Sequence, residues 1–208
     1  MRIVIATRNA GKVREFEQML ATAGLEFVPL SHFPALPEPA ETAISFHANA
    51  AIKAGAYARA TGCWALADDS GLQVDALGGR PGVHSARWAS INHAGSGDAD
   101  NNALLLRQLR DVPDHRRTAR FACALVLSDP AGRVALASFN TVEGTMGRAP
   151  RGTGGFGYDP LFVVTELNRT TAELSSDEKH AISHRGKALA RLRLLMRHPP
   201  DVRAAQAR

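Results

Sequence analysis

Ala65-Leu66-Ala67-Asp68-Asp69-Ser70-Gly71 is the stretch on which the reading of this chain turns. Small and apolar residues run into two adjacent carboxylates, then Ser-Gly. Residues 64–67 read as the end of a buried strand, with Asp68 and Asp69 at its mouth and Gly71 permitting a turn. In open α/β sheets, ligands bind outside the carboxyl ends of strands. Two acids placed there suit Mg²⁺, a hard cation held by one or two carboxylates plus substrate phosphates. A turn with Asp as helix cap is the structural alternative, and this stretch by itself does not separate the two.

Toward the N-terminus, Arg2–Ala6 is expected as a strand, because Ile3-Val4-Ile5 is a continuous apolar run of the kind buried on both faces. Thr7-Arg8-Asn9-Ala10-Gly11-Lys12 follows as a loop. Val13, Phe16, Met19 and Leu20 then recur at helical spacing, which predicts a helix over Lys12–Ala23 closed by Gly24. Strand, polar loop and helix in this order can hold phosphate with loop amides, a helix N-terminus and a lysine. The loop is not a Walker A motif, which needs Gly in place of Ala6 and Ser or Thr in place of Val13; an ordinary βα connection is the alternative. Pro29, Pro34, Pro37 and Pro39, with Glu38 and Glu41 among them, mark a surface loop. After it a helix is expected from Ser45 to Ala60, carrying Asn49 and Lys53 on one face.

Toward the C-terminus, Gly78-Gly79-Arg80-Pro81-Gly82 reads as a tight turn, and Asp98 as the cap of a helix over 99–110. Ala119–Leu127 reads as a strand. Arg133–Phe139 and Thr141–Met146 read as two more, after a turn at Asp129-Pro130-Ala131-Gly132. Gly152-Thr153-Gly154-Gly155-Phe156-Gly157 matches the dinucleotide fingerprint by letter only. No strand directly precedes it, and Pro160 blocks the helix that should follow. Glycines around one Phe and one Asp suit a planar ligand that stacks on the ring while the backbone comes close. Leu161–Val164 reads as a short strand, and one last helix should run from Ser176 to Met196, ended by Pro199-Pro200. On it, His180 and His184 at i, i+4 admit zinc as a minor reading, without the Glu of H-E-x-x-H. Ser183-His184-Arg185 offers three donors to a base or a phosphate.

The 208 residues suffice for one domain of two lobes with a real core. No apolar run approaches the ~20 residues of a membrane span, and the apolar start is soon broken by Thr7-Arg8-Asn9, so no signal peptide is expected. Cys63 and Cys123, far apart and outside any C-x-x-C, suggest thiols in a reducing compartment and a cytoplasmic protein. Net charge is +5, yet residues 185–208 hold seven basic groups against one acid, Asp201, so the remainder is close to neutral. A nucleic-acid binder would spread its charge more evenly.

Together, Asp68-Asp69-Ser70-Gly71, the glycine-rich Phe-Gly-Tyr-Asp-Pro loop and Ser183-His184-Arg185 resemble the inosine triphosphate pyrophosphatase family, from Ile3 through the last helix. The resemblance implies an elongated central mixed β-sheet with two α/β lobes flanking a deep nucleotide-binding cleft. It implies a single domain over 1–198, with 199–208 as a mobile tail, and a homodimer that binds neither nucleic acid nor membrane. The implied reaction is Mg²⁺-dependent hydrolysis of ITP, dITP and XTP to monophosphate and pyrophosphate. By motif, Thr7, Arg8, Asn9, Ala10, Gly11, Lys12 and Lys53 would hold phosphate. Asp69 would be the base and a metal ligand, helped by Asp68 and Glu41. Ser70, Phe156, Gly157, Tyr158, Asp159, Lys179, His184 and Arg185 would bind the rest of the substrate. The chain departs from the family's pattern at Ala40 and Ala48, where carboxylates are common, and at Arg8, where Gly is usual. A Maf-like diphosphatase, lacking the Ser-His-Arg reader, and a nucleic-acid module using the basic last helix are the alternatives.

Overall fold

The computed structural model describes residues 2–20 and 26–197. Strand β1 (Arg2–Ile5) leads through the Thr7–Asn9 loop into helix α1 (Ala10–Leu20), and β2 (Glu26–Pro29) returns beside β1. Helix α2 (Phe46–Thr61) precedes the long β3 (Trp64–Val74). A short β4 (Arg80–Pro81), α3 (Trp88–Ile91) and α4 (Gly97–Gln108) follow, then β5 (Thr118–Ser128) and β6 (Val134–Met146). The chain ends in β7 (Phe162–Val164), β8 (Arg169–Thr170), α5 (Ser176–Ile182) and α6 (His184–Arg197).

The strands form one mixed sheet in the order β2-β1-β3-β5-β6-β7-β8, with β4 paired to β3. This is the expected elongated mixed sheet. Strand β1 runs parallel to both β2 and β3, and the remaining pairs are antiparallel. Strands β1 and β3 pair only from Ile3↔Trp64 to Ile5↔Leu66. Strand β3 continues alone on that edge while its other edge stays paired to β5 as far as Val74↔Ala119. A gap therefore opens beside Asp68–Leu72, before β4 joins at Gln73 and Val74.

Three apolar clusters hold the molecule together. Ala50, Ala54 and Ala58 of α2 lie against Ala65, Ala67, Ala122 and Ala124 of the sheet. Small residues on both surfaces bring this helix close, so a side chain as long as Lys53 reaches the strand-edge gap. Phe16 and Leu20 of α1 and Leu189 and Leu192 of α6 cover the opposite face, over Leu66, Leu125 and Leu127. The second lobe is built on Leu105 of α4 and Leu109 just past its end, packed with Leu72, Phe121, Leu161 and Phe162.

Several expectations change. Asp68-Asp69-Ser70-Gly71 is no turn: the strand runs straight through it. Gly71 is required for a different reason, since a Cβ there would collide with the Gly82 carbonyl and the Ser85 hydroxyl. The mouth exists because β1 stops, not because β3 does. The two strands expected over 133–146 are a single strand, β6. A strand that was not expected, Glu26–Pro29, takes in the first proline of the expected surface loop, and Arg80–Pro81 within the expected turn is a strand too. Helix α4 begins after Ser96, and Asp98 makes no cap. The last helix is two helices. Ser183 adopts extended angles, its amide donates to the Lys179 carbonyl, and its hydroxyl accepts from the Gly186 amide, so it closes α5 and caps α6. His180 and His184 therefore lie on different helices, which removes the i, i+4 zinc reading. The helix ends expected at Gly24 and Pro199-Pro200, and the 199–208 tail, lie outside the described residues.

Candidate active site

Alternation along β3 sends Asp68 and Asp69 to opposite faces of the sheet. Asp69 faces α2, where Lys53 Nζ lies 3.3 Å from its Oδ1. Asp68 faces α1 and α6, paired with the ammonium of Lys12 and, at 3.1 Å, with Arg185 Nη2. The Cys123 thiol, from the neighbouring strand, donates to Asp68 Oδ2 at 3.3 Å. Asp68 Oδ1 meets Lys12 as an ion pair without an aligned hydrogen bond.

These surroundings separate the two acids. Burial would raise the Asp68 carboxyl, but Arg185, Lys12 and Lys53 outweigh it and hold it well below the ordinary carboxylate range. For Asp69 burial wins: its carboxyl is raised despite Lys53 and Lys12, with Glu41 and Asp68 adding to the rise. One acid is fixed as a charge and its neighbour is made the better proton acceptor, the division that marks acid–base assignments. Asp69 Oδ2 is buried and has no hydrogen-bond partner, although Asp69 lies on the cavity wall.

The lysine-bearing wall is local in origin. Asn9 caps α1, its Oδ1 accepting from the Lys12 amide at 3.0 Å, which sets the lysine at the first turn. Arg8 is exposed and donates to the Leu36 carbonyl, tying the Pro-rich loop to the Thr7–Asn9 loop. On α2, Ser45 is the cap and accepts from the Ala48 amide. Asn49 is fully buried and grips both backbone groups of Ala43, at 2.9 and 3.2 Å. That grip holds Glu41 beside Lys53, with Nζ–Oε1 2.6 Å, while Arg87 Nη1 approaches Glu41 Oε2 at 3.2 Å. Burial pushes the Glu41 carboxyl up, but Lys53 and the other cations bring it below its usual value.

The opposite wall is assembled from distant segments. Asp159 accepts from the Phe156 amide at 2.8 Å and from Lys179 Nζ at 2.6 Å, and Thr171 donates to its other oxygen at 2.8 Å. Glu15 of α1 pairs with both Lys179 and Arg185. The Phe156 ring lies between these cations, 5.1 Å from Lys179 Nζ and 5.9 Å from the Arg185 guanidinium. It also seats on Gly11: a Cβ there would come within 2.6 Å of Phe156 Cδ1. His184 is buried and stacks on Phe121, with ring centroids 5.0 Å apart and 16° between planes. Burial, reinforced by Arg185, lowers its pKa well below the usual value, so the imidazole is neutral near pH 7, and Nδ1 has no partner.

The walls enclose a cavity of about 280 Å³. Of the residues expected at the site, all line it except Ala10, Gly11 and Asp68. Two expected roles change with the geometry. Arg185 was expected to offer donors to a base. It is 2% exposed, and four of its N–H groups serve Asp68, Glu15 and Ser70, because two buried carboxylates claim it. Tyr158 donates its hydroxyl to the Ser85 carbonyl at 2.9 Å and ties the glycine-rich loop to the 82–87 segment. Sequence reasoning missed Glu15, Arg87 and Phe121. Glu15 and Glu17 look alike on an amphipathic helix, and only the fold reveals that the first is buried and the second exposed.

Among the described residues, no three His, Cys, Asp or Glu side chains converge as a metal cage. A Mg²⁺ held by one carboxylate and substrate phosphates needs less. The unpartnered Asp69 Oδ2 on the cavity wall is the kind of hard oxygen ligand such an ion takes. Asp68 and Glu41 are each already engaged by two cations.

Fold and site together define a mixed-sheet α/β protein with one deep cleft between a lysine-bearing wall and an aromatic wall. Comparison with known proteins gives the particular family. The Ham1 family model matches residues 3–194, and the chain belongs to that family. It is 52% identical over 192 residues to the dITP/XTP pyrophosphatase of Exiguobacterium sibiricum, covering 92% of this chain and 95% of that one. It is 48% identical to the Streptomyces coelicolor dITP/XTP pyrophosphatase, covering 92% and 94%. Among solved structures, a HAM1 protein from Coxiella burnetii superposes with a TM-score of 0.83 at 40% identity, covering 94% of this chain and 98% of that one. The resemblance drawn from the motifs and these matches agree.

Proposed function

We propose that this chain hydrolyses non-standard purine nucleoside triphosphates (ITP, dITP and XTP) to the monophosphate and pyrophosphate, with Mg²⁺. The observation that carries the reading is Asp69: a carboxylate of raised pKa with an unpartnered oxygen, paired with Lys53, in a cavity that Lys12 and Phe156 also line. The names of the related enzymes support the substrate class.

The residues divide the work by charge and shape. Lys12, Lys53 and the amides at the start of α1 neutralise the phosphates, which water cannot attack while their charge is unmatched. Asp69 accepts the proton of the water that attacks the α-phosphorus, making pyrophosphate the leaving group. Asp69 would also hold Mg²⁺, with Glu41 and Asp68 as the nearest further carboxylates; when bound, the ion lowers the pKa of water and stabilises phosphoryl charge. Phe156 stacks the base. A neutral His184 can present either a donor or an acceptor to the purine's edge, and Arg185 fixes the ground beneath it. A site built to hydrogen-bond a 6-oxo purine leaves groups unpaired against adenine's 6-amino edge, which makes discrimination large.

Pyrophosphate release from eight nucleoside triphosphates, with and without Mg²⁺, tests this. ITP and XTP should exceed ATP by about 10²-fold or more in kcat/KM. Comparable rates on ATP would overturn the substrate assignment. A homodimer rests on the family resemblance and on β6, which leaves its outer edge unpaired from Val134 to Gly144 among the described residues, with Phe139 half exposed. A monomeric mass in solution would remove it. The two thiols are unpaired, in keeping with a reducing cytoplasm.

A further inference from the structure

The Phe156 loop is gripped from outside as well as from within. On the inner side Asp159 takes the Phe156 amide and is locked by Lys179 and Thr171. On the outer side the next peptide is held by α4, the helix whose leucines build the second lobe. Asp98 Oδ2 accepts from the Gly157 amide at 2.7 Å, and Asn102 Nδ2 donates to the Gly157 carbonyl at 2.8 Å. Asn102 Nδ2 also donates to the Asp98 carbonyl at 2.8 Å, which joins the two members of the grip. Gly157 has a φ of +62°, a conformation that leaves both its backbone groups for α4. Asp98 also lines the cavity.

We propose that Asp98 and Asn102 are positioning residues for the nucleobase platform, acting through the Gly157 peptide to fix the Phe156 ring over the cleft. The proposal rests on the reading of Phe156 as the stacking platform. Its physical basis is that a loop with glycines at 152, 154, 155 and 157 has little stiffness of its own. The ring's place is set by what holds the peptides on either side of it. The carboxylate–amide bond is charge-assisted and the stronger of the two. Without this grip the loop samples wider states, and a nucleotide must order it on binding, which appears as weaker binding and not as slower chemistry.

The test is steady-state kinetics with ITP on five variants of the full chain. Asp98→Ala and Asn102→Ala should each raise KM by about tenfold, the loss of one good hydrogen bond, with kcat within about threefold of wild type. Asp98→Asn keeps an oxygen that can accept from Gly157 and should restore KM to within about threefold. Asp100→Ala is the control: its carboxylate holds the Ser96 amide in the same turn but does not reach Gly157. If Asp100→Ala raises KM equally, the effect is a loosened helix start and the proposal is overturned. Asp98→Asn as impaired as Asp98→Ala also overturns it, because the carboxylate charge and not the Gly157 bond would then matter. Phe156→Ala separates the two readings. A raised KM there with an unchanged Asp98→Ala defeats the grip alone; an unchanged KM in Phe156→Ala defeats the platform and the grip together.

Discussion

The two walls of the cleft hold their cations differently. On the phosphate side, Lys12 faces Asp68 alone and Lys53 faces Glu41 and Asp69, so each ammonium keeps at least one of its three donors. On the base side, Arg185 spends four N–H groups on Asp68, Glu15 and Ser70. The first wall is arranged so that its cations can exchange partners. The second is arranged to keep them. A buried ion pair contributes little net stability, yet breaking one by removing a single partner strands a charge and is costly. The same residue types thus keep donors free on one side and commit nearly all of them on the other.

The sharpest test of this division is Asp69→Asn. It should lower kcat by about 10³-fold, the scale of a lost general base, without lowering Tm. Burial raises the Asp69 carboxyl in the folded state. The unfolded carboxylate therefore sheds its proton at lower pH, and stability falls as pH rises from the ordinary carboxylate pKa through the raised one. The Asn variant escapes that loss, so at pH 7 its Tm should match or exceed wild type. The acid limb of wild-type kcat/KM should likewise lie above the ordinary carboxylate range. A steep fall in Tm would place Asp69 with the architectural residues.

Arg185→Ala should show the converse, with a loss of about 3–5 kcal/mol in chemical denaturation because Asp68 and Glu15 are left buried without it. Lys53→Ala should cost less by the same measurement, about 1–2 kcal/mol, because Glu41 keeps Arg87 and the raised Asp69 carboxyl can take up a proton, while the KM for triphosphate rises about tenfold. Equal destabilisation by the two variants would erase the distinction between the walls. The smallest effect is expected at Arg8. Its side chain is exposed and tied back to Leu36, so Arg8→Gly should change kcat/KM by less than about threefold.

Legibility in the sequence follows the same line. The lysine-bearing wall is a strand, a loop and a helix in immediate succession, and the apolar run Ile3-Val4-Ile5 and the helical spacing after Lys12 announce it, although the helix starts at Ala10, two residues earlier than expected, with Asn9 as a cap that was not read. Helix α2, expected from Ser45, starts one residue later at Phe46 with Ser45 as its cap. The base wall draws on Glu15, Asp98, Phe121 and His184, which become neighbours only when the sheet assembles. No local pattern marks Glu15 as buried. Nor does any mark Ser183 as a break, since Ala181, Ile182 and Leu189 continue an apolar face across it. The strand through Asp68–Gly71 was hidden for a related reason. Acids and glycine signal a turn locally, and the ion pairs and close contacts that permit a strand there come from elsewhere in the chain.

Gly11 and Phe156 carry an evolutionary consequence. The ring rests where a side chain on Gly11 would be, within 2.6 Å of its Cβ position. Residue 11 therefore acts as a gauge for the place of the ring, and the two sites, far apart in the chain, are a single mutational unit. A larger residue at 11 is tolerated only alongside a smaller or displaced one at 156, so lineages of this fold should drift through paired exchanges at these positions and not through independent ones.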